Sequence, residues 1–295
     1  MTMKPLDPRL HAYRGDLAAE ALSGRVEAAR FVAGEAAQVC RGIADLRKRP
    51  AADAPLDSQL LFGEAVTRYD TADGWAWVQS REDGYVGYVE ATALSARFAA
   101  PSRRVAVLRT FLYPEPDLKA PPLDCLSMAS PVEVTAEQGV FSEVRSGADG
   151  SAWIYSRHLA ALDDVVADYT ATALQFLGAP YLWGGKGSLG LDCSALIQLA
   201  LARAGIACQR DSDMQAESLG EAVPYEAGNY TPRYGDLIYS PGHVAIALDE
   251  TRVVHANAHH MLVTIEPLAN LLARVEADSG RAAGQGIDAV RRPTG

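Results

Sequence analysis

The chain has 295 residues, of which 48% are hydrophobic and 22% are charged, and its formal net charge is −10 at pH 7. This length is enough for two or three domains with separate cores, and the composition is that of a globular protein. The longest basic run covers only residues 47–49, so we expect no nucleic-acid partner.

The N-terminus lacks the apolar run that a secretory signal needs, and no window of about 18 residues is both uncharged and apolar. We therefore expect a cytoplasmic protein with no membrane partner. A mature extracellular form supplied without its signal is the alternative. The sequence makes no prediction about the oligomeric state.

The cysteines and histidines show only a weak metal-binding pattern. Cys40, Cys125, Cys193 and Cys208 show no C-x-x-C spacing, which indicates neither a zinc knuckle nor a disulfide scaffold. The spacing of His255 and His259 is compatible with metal ligands, but no carboxylate lies beside them in the sequence. We expect no metal and no cofactor.

Residues 1–30 form an N-terminal segment that is polar with scattered apolar positions. Residues 17–29 are compatible with a short helix or with an extended stretch lying on a neighbouring domain. From residue 31, short strand-like runs alternate with turn residues, and Asp73-Gly74 and Asp83-Gly84 are dipeptides typical of hairpins. Strands this short predict a small β-barrel over residues 31–98.

The same pattern then recurs. Tyr88 and Leu94 have counterparts in Trp153 and Leu159 at one constant offset. The repeat predicts a second barrel over residues 99–163. Both copies resemble bacterial SH3-like domains in turn spacing and in the aromatic residue that follows each turn.

Residues 164–295 form a third unit. Residues 164–177 predict an amphipathic helix, and a glycine-rich run follows that we interpret as a loop, because each glycine costs a helix about 1 kcal/mol relative to alanine. The next residues predict a buried helix that begins at Cys193, with Asp192 as its N-cap and Gly205 just past its C-terminus. Residues 207–235 have no sustained period and are interpreted as a long surface segment.

The remainder of the third unit reads as antiparallel strands, and a helix packed on such a sheet is an α+β arrangement. The strands are predicted at residues 236–239, 243–248, 252–257, 261–265 and 287–291.

Cys193 is the candidate nucleophile. At the first turn of a helix, free amides and the helix dipole favour an anion, which is one way in which a thiol pKa falls below its usual value. The alternative is a small apolar core cysteine, which is the commoner role of a single cysteine. A base elsewhere in the chain is needed to decide between them.

His243 and His255 provide that base if they lie in adjacent strands. With a turn centred on Glu250, His255 lies opposite Ala245, on the same face as His243 and diagonal to it. A slip of one residue would place the two histidines on opposite faces. The alternative for either histidine is an ordinary strand residue, while His259 and His260, nearer the hairpin end, are interpreted as facing a pocket or water.

The third unit contains five short motifs, which are Tyr181-Leu-Trp-Gly-Gly, Leu191-Asp-Cys-Ser, Gly235-Asp-Leu, Gly242-His-Val-Ala and Val254-His-Ala-Asn. In order and spacing they resemble the motifs of the NlpC-type cysteine peptidases of bacterial cell walls, which have a papain-like α+β domain. The resemblance implies that Cys193 is the nucleophile, His243 the general base and then acid, and His255 the group that orients His243. It also implies that Tyr181 donates to the developing oxyanion.

The order of two SH3-like domains and a peptidase domain resembles the γ-D-glutamyl-L-diamino acid endopeptidases that recycle murein peptides. This implies a peptide substrate, L-Ala-γ-D-Glu-diamino acid, with a free alanine amine. The resemblance further implies a set of substrate-binding residues. Asp192 and Ser194 would hold the amine, Glu64 and Tyr85 of the first SH3-like domain would close the groove, and Arg210 with Ser212 would meet the D-Glu α-carboxylate.

Two other functions remain open at this point. The SH3-like pair could bind cell wall while the third domain is inert. The same thiol chemistry could also serve hydrolysis or acyl transfer on polymeric murein or on another amide.

Overall fold

The computed structural model describes residues 6–97, 100–147, 150–226 and 228–294. The chain divides into two compact units, Met1–Leu162 and Asp163–Gly295. The boundary expected at residues 98 and 99, between the two SH3-like domains, lies outside the described residues. Within these ranges every helix is too short or too polar to span a lipid bilayer.

The first unit opens with a small sheet in the order β1-β2-β3, formed by Tyr13–Arg14, Leu17–Ala19 and Phe31–Val32. Leu17 is fully buried and packs in one core cluster with Trp77. Residues 17–29 are therefore not an α-helix, and the extended conformation given as the other possibility is the one observed, apart from a short 3₁₀ turn at Glu20–Leu22. The extended conformation allows Leu17 to be buried against the neighbouring sheet.

The neighbouring sheet has seven strands. They are β4 (Glu35–Val39), β5 (Ile43–Arg47), β6 (Leu56–Leu61), β7 (Ala65–Ala72), β8 (Trp75–Ser80), β9 (Val86–Glu90) and β10 (Leu94–Ser95), in the order β10-β4-β7-β8-β9-β5-β6. Asp73 and Gly74 form the tight turn between β7 and β8, with φ of 51° and 83°, which confirms the hairpin. Pairing among the described strands does not join β10 to β6, so barrel closure is not seen.

The rest of the first unit consists of shorter strands. They are β11 (Arg103–Val105), β12 (Arg109–Leu112), β13 (Asp124–Ser127), β14 (Pro131–Val132), β15 (Val134–Gln138), β16 (Phe141–Ser146), β17 (Gly150–Tyr155) and β18 (Leu159–Ala161). Their core includes Leu112, Leu126 and Ile154, and Phe62 packs in the same cluster from just beyond β6. This region is β structure, and its assignment as a second SH3-like barrel stays a prediction.

The second unit contains four α-helices and an antiparallel sheet among its described residues. The helices are α1 (Tyr169–Leu174), α2 (Cys193–Arg203), α3 (Ser212–Ser218) and α4 (Leu268–Ser279). The strands are β19 (Lys186–Gly187), β20 (Gly190–Leu191), β21 (Glu221–Ala222), β22 (Leu237–Ser240), β23 (His243–Ala247), β24 (Arg252–Asn257), β25 (Leu262–Pro267) and β26 (Ala289–Arg292). The main sheet has the order β21-β26-β22-β23-β24-β25, as an α+β domain requires.

Three helices differ from the expectation. Helix α1 begins only after Asp168, whose side chain accepts from the Ala171 amide at 3.0 Å, because the Val166 amide is already bonded to the Arg203 carbonyl. Helix α3 interrupts the expected surface segment and buries Met214. Helix α4, after β25, was not predicted.

The two faces of the sheet hold different helices. Helix α2 lies against β23 and β24. Leu268 and Leu271 of α4 pack against Ala245 and Val253. Side chains two residues apart along a strand share a face, so His243 and His255 lie on the α4 face of the sheet.

Candidate active site

Cys193 is the first residue of α2, as predicted. The Asp192 side chain caps the helix by accepting from the Ala195 amide at 2.9 Å, and Gly205, with φ of 73°, follows the helix C-terminus. The helix is buried along nearly its whole length, and Cys193 is 7% exposed. The capped and buried helix start therefore fixes the position of the thiol.

The thiol of Cys193 is held in its neutral form. Burial raises its pKa to about 12, and the negative charge of Asp192 adds to this effect, whereas the Val244 amide, Arg210 and the Ser194 amide oppose it. The expectation of a lowered pKa is therefore wrong for this site. The helix start is buried, and its capping carboxylate disfavours a second anion. The hydrogen bond from the Val244 amide places the thiol beside the start of β23, the strand that begins at His243.

The predicted register of the histidine hairpin is confirmed. Ile246 pairs with Val254, and continuing the same register places Ala245 opposite His255. The Nε2 atom of His243 lies 2.7 Å from the Nδ1 atom of His255. The two rings lie edge to face, with centroids 5.0 Å apart. One hydrogen is therefore shared between the two imidazoles.

Both imidazoles are neutral at pH 7. Burial is the main reason that the pKa of His243 falls to about 3, with further contributions from His255 and Arg274. Burial also lowers the pKa of His255 to about 4, although Glu266 opposes this shift. Since neither ring carries a charge, His243 is available as a base.

Three further residues, which were not predicted, extend the hydrogen-bond network of His243 and His255. Glu266 Oε1 lies 2.8 Å from His255 Nε2, and Asn257 Nδ2 lies 3.1 Å from the same nitrogen. Arg274 of α4 donates to both oxygens of Glu266. Glu266 is diagonal to His255 across the β24–β25 pair, so a register argument extended by one strand could have identified it.

Tyr181 lies beside the nucleophile. Its backbone forms an isolated parallel β-bridge with Leu191, and its amide donates to the Met261 carbonyl at 2.9 Å. Burial, followed by the nearby Cys193 and Asp192, raises the pKa of its phenol above the usual value. Tyr181 therefore keeps its proton, as a donor to an oxyanion must.

Asp192 is saturated with donors from this chain. Oδ1 accepts from the Ser194 hydroxyl at 3.1 Å, from Ala195 and from Arg210 Nη1 at 3.0 Å. Oδ2 accepts from the Gly184 amide at 3.0 Å and from Arg210 Nη2 at 2.6 Å. A substrate amine would have to share this carboxylate with Arg210.

Arg210 is 1% exposed, so it is a buried residue rather than an arginine solvated at a surface turn. Its terminal nitrogens also donate to the Ser194 hydroxyl at 2.8 Å and to the Gly185 carbonyl at 3.4 Å. All four of its terminal N–H groups thus have partners within the protein. A direct contact with the D-Glu carboxylate would require these bonds to rearrange, and that role stays a prediction.

The other predicted residues are placed as follows. Ser212 begins α3 and is half-buried. Glu64 and Tyr85 are buried in the first unit, 4% and 5% exposed. Their proposed contact with substrate stays a prediction.

His259 and His260 are exposed, and the His260 amide and Nδ1 both contact Asn257 Oδ1. A pocket of about 360 Å³ lies beside His243 and is lined also by His259 and Arg274. In the described part of the chain, no three His, Cys, Asp or Glu side chains are arranged to hold a metal ion.

Comparison with known families agrees with this geometry. Residues 178–274 match the NlpC/P60 family, and residues 46–94 match the bacterial dipeptidyl-peptidase SH3 domain. Residues 178–274 thus form an NlpC/P60 domain, the domain of a family of cysteine peptidases, and a bacterial dipeptidyl-peptidase SH3 domain precedes it in the chain.

Two relatives have names that bear on the substrate. The gamma-D-glutamyl-L-lysine dipeptidyl-peptidase of Bacillus cereus is 27% identical over 241 residues, which cover 72% of this chain and 71% of that protein. Dipeptidyl-peptidase 6 of Lysinibacillus sphaericus is 40% identical over 87 residues, which cover 29% of this chain and 30% of that protein. The chain thus aligns with under a third of the second relative.

Solved structures share the fold. An NlpC/P60 family protein from Bacillus cereus superimposes with a TM-score of 0.71 at 21% identity, covering 88% of this chain and 99% of that one. An NlpC/P60 endopeptidase from Photobacterium damselae subsp. piscicida gives a TM-score of 0.62 at 13% identity, covering 88% and 71%.

Proposed function

We propose that this protein is a cysteine endopeptidase that hydrolyses the bond between D-Glu and a diamino acid in murein peptides with a free N-terminal L-Ala. The observation that carries the proposal is the Cys193 thiol at the start of a buried helix, hydrogen-bonded by the amide of Val244, the residue that follows His243 of the His243–His255 pair. The family match and the two named relatives support the substrate class.

The reaction begins from a neutral thiol and a neutral imidazole. As Sγ of Cys193 attacks the γ-carbonyl carbon of D-Glu, its proton passes to Nδ1 of His243. The carbonyl oxygen becomes an oxyanion, which the Tyr181 phenol and amides at the start of α2 stabilise. Proton transfer accompanies the attack because burial disfavours a separate thiolate and imidazolium.

The intermediate then collapses, the C–N bond breaks, and His243 gives its proton to the leaving amine of the diamino acid. A water molecule attacks the resulting thioester and transfers a proton to His243. The tetrahedral intermediate expels the sulfur, which takes that proton back. The products are L-Ala-γ-D-Glu and the amine-bearing peptide or amino acid, and the enzyme regains its starting state.

Selectivity for a free alanine amine comes in this proposal from carboxylates, since a charge-assisted hydrogen bond contributes about 1.5 to 3 kcal/mol. Asp192 and Ser194 lie at the Cys193 helix start, and Glu64 with Tyr85 would complete the end of the groove. Such a gate suits small peptides released from murein. We propose a cytoplasmic role in recycling them.

The nucleophile is tested with purified full-length protein and L-Ala-γ-D-Glu-diaminopimelate. We expect Cys193→Ala to abolish hydrolysis while peptide binding by calorimetry is retained. Cys208→Ala, which removes a half-buried thiol of the same unit, should keep its activity. Unchanged turnover in Cys193→Ala would remove Cys193 from the mechanism.

The amine gate is tested by comparing this peptide with its N-acetylated form. We expect kcat/KM to fall by at least about tenfold on acetylation, which corresponds to the loss of about 1.4 kcal/mol of binding. Equal rates would refute the gate and favour activity on polymeric murein.

A further inference from the structure

His255 Nε2 has two neighbours, of which one can only accept a hydrogen bond and the other can only donate one. Glu266 Oε1, at 2.8 Å, can only accept a hydrogen bond when ionised, whereas Asn257 Nδ2, at 3.1 Å, can only donate one. A neutral imidazole nitrogen carries either a proton or a lone pair. It therefore satisfies Glu266 or Asn257, but not both.

The orientation of the Asn257 amide is fixed by its other contacts, which include a bond from Nδ2 to the Leu262 carbonyl at 3.4 Å. The His260 amide donates to Asn257 Oδ1 at 2.8 Å, and only an oxygen can accept that bond. The NH₂ group of Asn257 must then face His255. Rotation of the amide does not remove the competition, because it would leave two donors facing each other at His260.

Glu266 is held as a carboxylate. Burial raises its pKa, but the hydrogen bond from Arg274, the neighbouring His255 and the charge of Arg274 outweigh burial, so the pKa lies below its usual value. A hydrogen bond to a charged acceptor is about twice as strong as one between neutral groups. Glu266 is also closer than Asn257, so the proton stays on Nε2 of His255.

The proton on Nε2 of His255 also determines the tautomer of His243. With Nε2 of His255 protonated, its Nδ1 has a lone pair and accepts the hydrogen carried by Nε2 of His243, 2.7 Å away. His243 then has its lone pair on Nδ1, the remaining nitrogen, which can take a proton from Cys193. If Asn257 prevailed, both rings would carry their proton on Nδ1 and His243 could not act as a base.

We propose that Glu266, held by Arg274, is a positioning residue that sets the tautomers of both His255 and His243 against the opposing amide of Asn257. The catalytic part of this proposal rests on the proposed function. The tautomers themselves do not, so they can be measured whether or not the protein hydrolyses murein peptides.

The direct test is long-range ¹H–¹⁵N NMR of ¹⁵N-histidine-labelled full-length protein, which has six histidines. In the wild type we expect His243 and His255 to be protonated on Nε2. In Glu266→Met, of similar length but without an acceptor, we expect both protons to move to Nδ1. Unchanged tautomers in folded Glu266→Met would overturn the proposal.

Rescue provides the second test. In the double variant Glu266→Met with Asn257→Asp, the new carboxylate occupies the place of the opposing amide and can accept from His255 Nε2 and from the His260 amide. We expect it to restore the wild-type tautomers. This outcome distinguishes tautomer control from a packing role, because a merely structural defect would not be repaired by a second change.

Kinetics complete the test. We expect kcat of Glu266→Met to fall between about tenfold and 10⁴-fold with little change in KM, and to recover at least tenfold in the double variant. Glu250→Gln, which alters an exposed acidic residue at the β23–β24 turn, should match the wild type. A wild-type kcat in Glu266→Met, or a double variant no better than the single one, would overturn the catalytic role. Absence of hydrolysis in the wild type would instead refute the proposed function.

Discussion

Arg210 and Asp192 form a buried ion pair, with Nη2 of the guanidinium 2.6 Å from Oδ2 of the carboxylate and an Arg210 side chain that is 1% exposed. Removing one partner of such a pair leaves the other charge uncompensated away from water. The pair joins the turn before α3 to the start of α2. It therefore contributes both to the stability of the fold and to the position of Cys193.

Arg210→Met should therefore lower the free energy of unfolding by about 3 to 5 kcal/mol, measured by urea denaturation. Arg252→Met is the matched control. It removes an exposed pair with Asp249 at 2.7 Å and should cost at most about 1 kcal/mol. Equal losses in the two variants would contradict the assigned role of Arg210.

Acid should destabilise the folded protein through its histidine pair. Histidine in the unfolded chain has a pKa near 6.5, whereas burial lowers the values of His243 and His255 to about 3 and about 4. Below pH 6.5 the unfolded chain binds more protons than the folded one, so stability falls as the pH falls. The loss should proceed from about pH 6.5 down to about pH 3, by about 1.4 kcal/mol per histidine for each pH unit.

His243→Asn should reduce this dependence by about one proton between pH 6 and pH 4.5, measured as the slope of unfolding free energy against pH. A slope identical to that of the wild type would show that His243 is not held neutral by burial.

The thiol of Cys193 should react slowly with iodoacetamide at neutral pH. Because burial raises its pKa to about 12, the thiolate fraction and hence the rate should increase about tenfold per pH unit from pH 7 to pH 10. The rate is obtained by mass spectrometry of the peptide that contains Cys193, with Cys193→Ala to identify signals from the other cysteines. A rate that is already constant below pH 7 would indicate a preformed thiolate.

Tyr181→Phe should lower kcat by about 10² to 10³-fold with little effect on KM, as expected when one oxyanion donor is lost. Tyr234→Phe is a suitable control, since that exposed phenol donates to Asp168 at 2.8 Å. Parallel losses in both variants would point to a general structural effect instead.

The parts of the site that could be predicted from sequence are those governed by local rules. The helix at Cys193 is specified by a preceding glycine-rich loop, the Asp192 cap and Gly205 at its end. The contact between His243 and His255 followed from the length of one hairpin turn, because pairing and side-chain direction are then set by the two-residue period of strands.

The site residues that were not predicted lie on elements that follow the β23–β24 hairpin. Glu266 required the register of a second hairpin, and Arg274 required α4, whose apolar residues at positions 268, 271, 272 and 275 do have helical spacing. The pair of Arg210 with Asp192 had no local signal, since it depends on how the segment after α2 folds back. The raised pKa of Cys193 likewise reflects the total burial of the site, which no short motif encodes.

Asp192 joins three stretches of chain through one carboxylate: the glycine loop at Gly184, the first turn of α2 and Arg210 before α3. The glycine loop consequently cannot be exchanged for a loop of another length without disturbing the start of α2. Transplanting a longer loop between Tyr181 and Asp192 would displace the cap and the arginine together, so redesign of this peptidase for new substrates is better directed at side chains along the cleft than at the length of its loop.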